Sequence, residues 1–209
     1  ATFAHQQHAL DYINDLMASQ LTPVTVELID HTILNAFAHD GAWGVALACE
    51  GPEAAVARHH HDLSHRAGMH AGTAHWLTGD AHVHCWRIIN DASHTQHIAA
   101  DECLIRWSTL PAFVGDVIQR CHSLCNELGG TISIHARASV GSGYVRIRNA
   151  NFAVQSAWFA AIPEALWIAT SATDLPHYWH PPAAGLEVMR TIRHEFDPHA
   201  RLNPGRFVV

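Results

Sequence analysis

The sequence predicts an α+β fold: duplicated ferredoxin-like units forming an antiparallel sheet covered by helices, followed by a C-terminal helix and tail. Two observations carry this expectation. Between residues 103 and 170 the hydrophobic pattern runs strand–helix–strand–strand–helix–strand. Residues 1–77 give nearly the same order, with Ala1–Ala4 as the sole candidate for an opening strand. A third observation bounds both: 209 residues with 48% hydrophobic content suffice for one large domain or two small ones with a true core. The expected division is 1–173 for the duplicated ferredoxin-like unit and 174–209 for the C-terminal helix and tail.

The elements follow in order. Residues 5–19 place Leu10, Ile13 and Met17 at helical spacing, with a turn at 20–23. Residues 24–29 alternate as a half-buried strand, and 31–38 read as a short helix. Residues 43–49 are continuously apolar, as a central strand would be. Pro52 opens a helix over 52–68. A strand is expected at 74–77, then a helix at 80–91 with Val83, Trp86, Ile88 and Ile89 available to pack. In the second half, 103–107 is a strand and 111–128 a helix stopped by Gly129-Gly130. Strands at 131–136 and 144–148 flank a loop holding Gly141 and Gly143. A helix at 151–162, a strand at 165–170 and a helix at 184–196 complete the reading, with helices expected on one face of the sheet.

Composition excludes several classes. The net charge is −7, with no basic block, so nucleic acid is not an expected partner. No apolar run approaches the roughly 20 residues of a membrane-spanning helix. The opening residues carry no basic-then-apolar secretion signal. Five cysteines, scattered at 49, 85, 103, 121 and 125, are not a disulfide framework and suit a reducing compartment. The expected location is therefore cytoplasmic, or peripheral to the inner membrane through a complex. Twenty histidines and no lysine mean that net charge swings strongly as pH falls toward 6.

The tail from Met189 to Phe207 carries a helix ending in Phe196-Asp197-Pro198, then Leu202-Asn203-Pro204-Gly205-Arg206-Phe207. This segment closely resembles the C-terminal signature of FAD-linked oxidases of the vanillyl-alcohol-oxidase type. Leu21-Thr22-Pro23, the helix opening Glu50-Gly51-Pro52-Glu53-Ala54-Ala55-Val56, and Trp86-Arg87 resemble the glycolate oxidase branch of that family. The resemblance implies FAD as cofactor, a small 2-hydroxy acid as substrate, and an FAD-binding domain or other oxidase subunits as partners. Such a domain cradles pyrophosphate with clustered glycines. The thirteen glycines here are dispersed. The chain thus resembles the cap and tail without the flavin cradle, either a piece of a longer chain or a separately encoded remnant. It is expected to be inactive alone; the competing readings are a non-catalytic interaction module and a histidine-rich metal-binding protein.

By resemblance, Asn203, Gly205 and Arg206 help to close the cofactor site; the alternative is a pair of turns anchoring the terminus. Ser139–Tyr144 stands where related dehydrogenases carry a His-x-Gly-Asp-Gly-Asn motif, but Ser142 and Tyr144 replace its Asp and Asn, so a hairpin turn explains it equally well. Arg146 and Arg148 share one strand face. With Arg137 and Arg106 they are candidates to bind a substrate carboxylate, or else to form a salt-bridged sheet face. His61 and His65 lie at i and i+4 on one helix, a candidate pair for an adventitious divalent metal or simply solvent-facing residues. Cys121 and Cys125 follow the apolar stripe of their helix and read as core, not as a redox pair.

Overall fold

Val26 and Leu28 point to one side of their strand while Glu27 and Ile29 point to the other, and the whole architecture follows from what each side meets. The computed structural model describes residues 1–37, 39–94, 98–99, 102–128, 130–148, 166–171, 179–180 and 184–202, with 128, 166–171 and 179–180 described by backbone alone. The strands are β1 (Thr2–Phe3), β2 (Thr25–Asp30), β3 (Trp43–Ala48), β4 (Glu102–Ser108), β5 (Thr131–Arg137), β6 (Ser142–Arg148), β7 (Leu166–Ser171) and β8 (Trp179–His180). They form one eight-stranded sheet in the order β1-β3-β2-β5-β6-β4-β7-β8. Every pairing is antiparallel. The helices are α1 (Gln6–Met17), α2 (His31–Leu34), α3 (Glu53–Met69), α4 (Gly79–Ala92), α5 (Val114–Leu128) and α6 (Leu186–Phe196).

Alternation along the strands creates the main core. Val26, Leu28, Val45, Cys103, Ile105, Trp107, Ile132, Ile134, Val145 and Ile147 bury their side chains together with residues of α1, α3 and α5. Each fully buried Leu or Ile contributes about 1.5–3 kcal/mol relative to exposure. On α5 the stripe Val114, Val117, Ile118, Cys121 and Cys125 is buried as its spacing predicts, and both cysteines are free thiols in that core. Burial pushes the Cys121 thiol far above its ordinary value, with Cys125 adding to the shift. On α1 the buried seam is Ala9, Tyr12, Ile13 and Leu16, one position rotated from the expected one, and Met17 is exposed. Tyr12 decides this: its ring packs on Phe3 and its hydroxyl donates to the Leu63 carbonyl, so an amphipathic residue occupies the interior.

Helices do not keep to one face. A second cluster joins Ile29 and Ala46 to Ile33 and Leu34 of α2 and to Cys85 and Ile89 of α4. The reason is in the strands themselves, because the consecutive apolar residues of 26–29 and 43–49 present hydrocarbon on both sides. On α4, Cys85 and Ile89 are buried and Trp86 and Ile88 pack against the same cluster, while Val83 is exposed. The strand expected at 74–77 is not formed; the pairing next to it is a single bridge between Thr2 and Thr73. Leu77 turns inward to the second cluster, and β1 is too short to offer a longer ladder. The hairpin loop is tighter than expected, since Gly143 lies within β6 and the turn ends at Gly141. Strand β8, unexpected from the sequence, pairs Trp179 and His180 with Ile168 and Trp167. The helix expected at 151–162 lies outside the described residues.

The two halves of the sheet meet where β2 pairs with β5, through Leu28↔Ala136 and Ile29↔His135. Side chains reinforce this short seam. Asp30 caps α2, its Oδ1 accepting from the Thr32 and Ile33 N–H groups, while its Oδ2 accepts the Ile134 N–H at 2.7 Å. Burial raises the Asp30 carboxyl above its ordinary value despite those three bonds.

Candidate functional site

The sheet face opposite the main core changes character beyond the seam. There β5, β6 and β4 present Ser133, His135 and Arg137, then Tyr144, Arg146 and Arg148, then Glu102 and Arg106. Register places His135 opposite Tyr144, and Tyr144 opposite Arg106. Two buried glutamates organise this polar surface.

Glu27, on β2, is 4% exposed. It accepts from the Thr25 hydroxyl at 2.9 Å, pairs with His135 Nε2 at 2.8 Å and accepts from Arg137 Nε at 3.2 Å. Burial works to raise its carboxyl, but the bond to His135 and its charge, with Thr25 and Arg137, hold it below the ordinary value. The Tyr144 ring stacks against His135 at a centroid distance of 6.1 Å. His135 is itself buried, and its Nδ1 has no hydrogen-bond partner among the described residues.

Glu102 forms the second centre. It accepts from Arg148 Nε at 2.7 Å, from Arg146 Nη1 at 3.1 Å and from the Ala99 N–H at 3.3 Å. Burial again opposes ionisation, and the Ala99 amide with the two guanidiniums holds the carboxyl below its ordinary value. Arg146 also donates from Nη2 to the His94 carbonyl at 2.9 Å. Its guanidinium is thereby fixed, whereas the Arg148 side chain is 61% exposed.

The structure therefore brings Arg146 and Arg148 together on one carboxylate and puts Arg137 on another. Along β5, Arg137 stands four residues from Ser133, the position opposite Arg146, or about 13 Å at the rise of a strand. Arg106 is exposed between Tyr144 and the backbone of Ile168. His61 and His65 are both exposed on α3. No cluster of three or more metal-ligating side chains occurs among the described residues. Asn203, Gly205 and Arg206 lie outside them. Sequence reasoning missed Glu27 and Glu102. For Glu27 a signal existed, a lone charge inside the apolar run Val26-Glu27-Leu28-Ile29, whereas nothing local marks Glu102.

The tail has its own geometry. Among the described residues of 184–202 none is buried, and Val188, Ile192 and Phe196 form an exposed apolar seam along α6. Beyond α6, Asp197 accepts from the Arg201 and Leu202 N–H groups at 2.8 and 2.9 Å, and these backbone bonds to Leu202 and Arg201 hold its carboxyl below the ordinary value. Residues 175–207 match the family model described as FAD linked oxidases, C-terminal domain. The match supports a C-terminal domain of an FAD-linked oxidase. It covers the seam of α6 and the turn held by Asp197. No curated protein matches the chain. Among the described residues no helix is long and apolar enough to cross a membrane.

The glycines decide whether the described residues could cradle FAD, since a pyrophosphate cradle needs several of them clustered between a strand and a helix. Gly51, between β3 and α3, is alone there, as are Gly68 inside α3, Gly79 at the start of α4 and Gly185 before α6, and Gly141 and Gly143 belong to a hairpin. No such cradle is formed by the described residues.

Proposed function

We propose that this chain is the cap, or substrate, part of an FAD-dependent oxidoreductase that oxidises a small 2-hydroxy acid, glycolate to glyoxylate, most like the FAD-binding polypeptide of bacterial glycolate oxidase. The observation that carries the reading is the family match over 175–207, falling on a helix whose apolar seam is uncovered. In this reading α6 and the tail, with Asn203, Gly205 and Arg206, pack on a separate FAD-binding domain or subunit. That partner supplies the flavin, the hydride acceptor, because the described residues form no cradle of their own. The location is cytoplasmic, or at the inner membrane through the complex.

The chain's own part is to hold the acid. Arg106, Arg137 and Arg148 are the exposed cations of the polar face, with Arg137 held by Glu27 and Arg148 by Glu102, and Arg146 sits beside Arg148 on Glu102. A carboxylate held in two-point fashion by guanidinium groups is the recognition that a 2-hydroxy acid requires. Strand order supports the duplicated ferredoxin-like plan: the bridge at Thr73, then β1-β3-β2, matches β7-β4-β6-β5 position for position. Residues 1–173 would form that cap and 174–209 the docking segment.

The test is purification under native expression. The expected preparation contains a flavin-bearing polypeptide, is yellow, and bleaches on addition of glycolate. The double variant Ile192→Glu and Phe196→Glu should lose the flavin while the chain keeps its circular dichroism. A colourless preparation, or flavin retained by the double variant, would overturn the reading. Flavin that glycolate does not bleach removes the substrate assignment alone.

A further inference from the structure

The polar face of β5, β6 and β4 falls into two parts, according to what its side chains already hold. Around the glutamates the cations are engaged: His135 and Arg137 on Glu27, Arg146 and Arg148 on Glu102. Toward the β5–β6 hairpin the pattern changes. Register sets Ser108 opposite Ser142 and Arg106 opposite Tyr144. These residues share the polar face, because Ile105, Trp107 and Val145, which alternate with them, are buried in the main core. Among the described residues Arg106 forms no ion pair, and the Ser108, Ser142 and Tyr144 hydroxyls make no hydrogen bond.

Opposed Cα atoms lie about 5 Å apart and successive outward positions about 7 Å, so these residues mark a patch the size of a small acid. Both neighbouring carboxylates are remote. Glu102 stands four residues along β4 from Arg106, about 13 Å, and Glu27 on β2 is three strand spacings from β4, about 14 Å. The other arginines are less open. Arg137 and Arg148 commit Nε to a glutamate, and Arg146 commits both terminal nitrogens, one to Glu102 and one to the His94 carbonyl. A guanidinium grips a carboxylate best with two parallel N–H bonds from one edge. On this face, among the described residues, Arg106 is the arginine whose edges are all uncommitted, and it is exposed.

We propose that Arg106 is the specificity-determining residue of this face: it takes the substrate carboxylate in a two-point fork, and the Ser108, Ser142 and Tyr144 hydroxyls donate to the lone pairs that remain. The inference rests on the reading of this chain as the acid-holding part of an oxidoreductase, and it names the residue that selects an acid. A neutral alcohol of the same size gains nothing from a guanidinium, so the charge of Arg106 sets the preference. Arg137, Arg146 and Arg148 have a different task, which is to hold the sheet face together through Glu27 and Glu102.

The test uses the flavin-bearing complex, with glycolate as substrate and acetate as a competing anion that lacks the hydroxyl. Arg106→Gln should raise the KM for glycolate and the inhibition constant of acetate together, by about a hundredfold or more, while kcat falls far less. Arg106→Lys keeps the charge without the fork and should fall between. Circular dichroism and flavin content should match the wild type in both variants, since the side chain is exposed. A larger rise in KM from Arg137→Gln or Arg148→Gln than from Arg106→Gln would overturn the proposal. A wild-type complex that glycolate does not bleach fails the substrate reading, and this assignment with it. A wild type that is bleached, with KM unmoved in Arg106→Gln, overturns the role of Arg106 alone.

Discussion

The carboxylate of Glu27 and the imidazole of His135 meet at 2.8 Å across 108 residues of chain, at the seam where the two halves of the sheet join. Only two residue pairs form the ladder there, so side chains carry much of the connection. Glu27→Ala leaves a buried His135 without its partner and should cost about 3 kcal/mol of unfolding free energy in urea titration. Arg137 bonds the same carboxylate but is 62% exposed, and Arg137→Ala should change stability by less than about 1 kcal/mol. Equal losses from the two would show that burial does not set the strength of this cluster.

Acid should weaken the fold through the same groups. Asp15, Glu27 and Glu102 all sit below their ordinary values, Asp15 through its bond to Arg66. A depressed carboxylate contributes stability above its unfolded value, near pH 4.3 for glutamate and about 3.9 for aspartate, and loses it as pH falls through the folded value. Asp30, raised by burial, acts in the opposite sense and offsets part of the loss. The expected outcome is a fall in Tm beginning below about pH 5, shallower in Glu27→Gln. A Tm profile that Glu27→Gln leaves unchanged would remove Glu27 from the acid response.

Asp30 binds three elements at once, and its substitutions separate its roles. Asp30→Ala removes the cap of α2 and strands the buried Ile134 N–H, an expected loss of about 2–4 kcal/mol. Asp30→Asn keeps an oxygen for the cap and should lose less. Hydrogen exchange at Ile134 reads the cross-seam bond directly, and it should accelerate in both variants.

Two glycines give opposite expectations. A Cβ at Gly143 would lie 2.5 Å from the Trp107 ring and 2.7 Å from the His135 carbonyl, so Gly143→Ala should destabilise by about 1–3 kcal/mol. At Gly68, inside α3, a Cβ meets nothing within 4 Å, and Gly68→Ala should stabilise by up to about 1 kcal/mol. Thermal denaturation of the two variants should move Tm in opposite directions.

By itself the sequence determined β2 to β7 and the helices α1 to α6, though not β8, together with the buried stripe of α5. Those depend on residues two to four positions apart, whose spacing is visible in one dimension. It also contained the apolar runs of β2 and β3, although their consequence, cover on both faces, needed α2 and α4 in place. Only the tertiary structure decided that Arg146 and Arg148 share Glu102 while Arg137 turns to Glu27, and that β8 joins β7. Each of these joins segments distant in the chain, and pairing between distant strands follows from register and burial that no local pattern records.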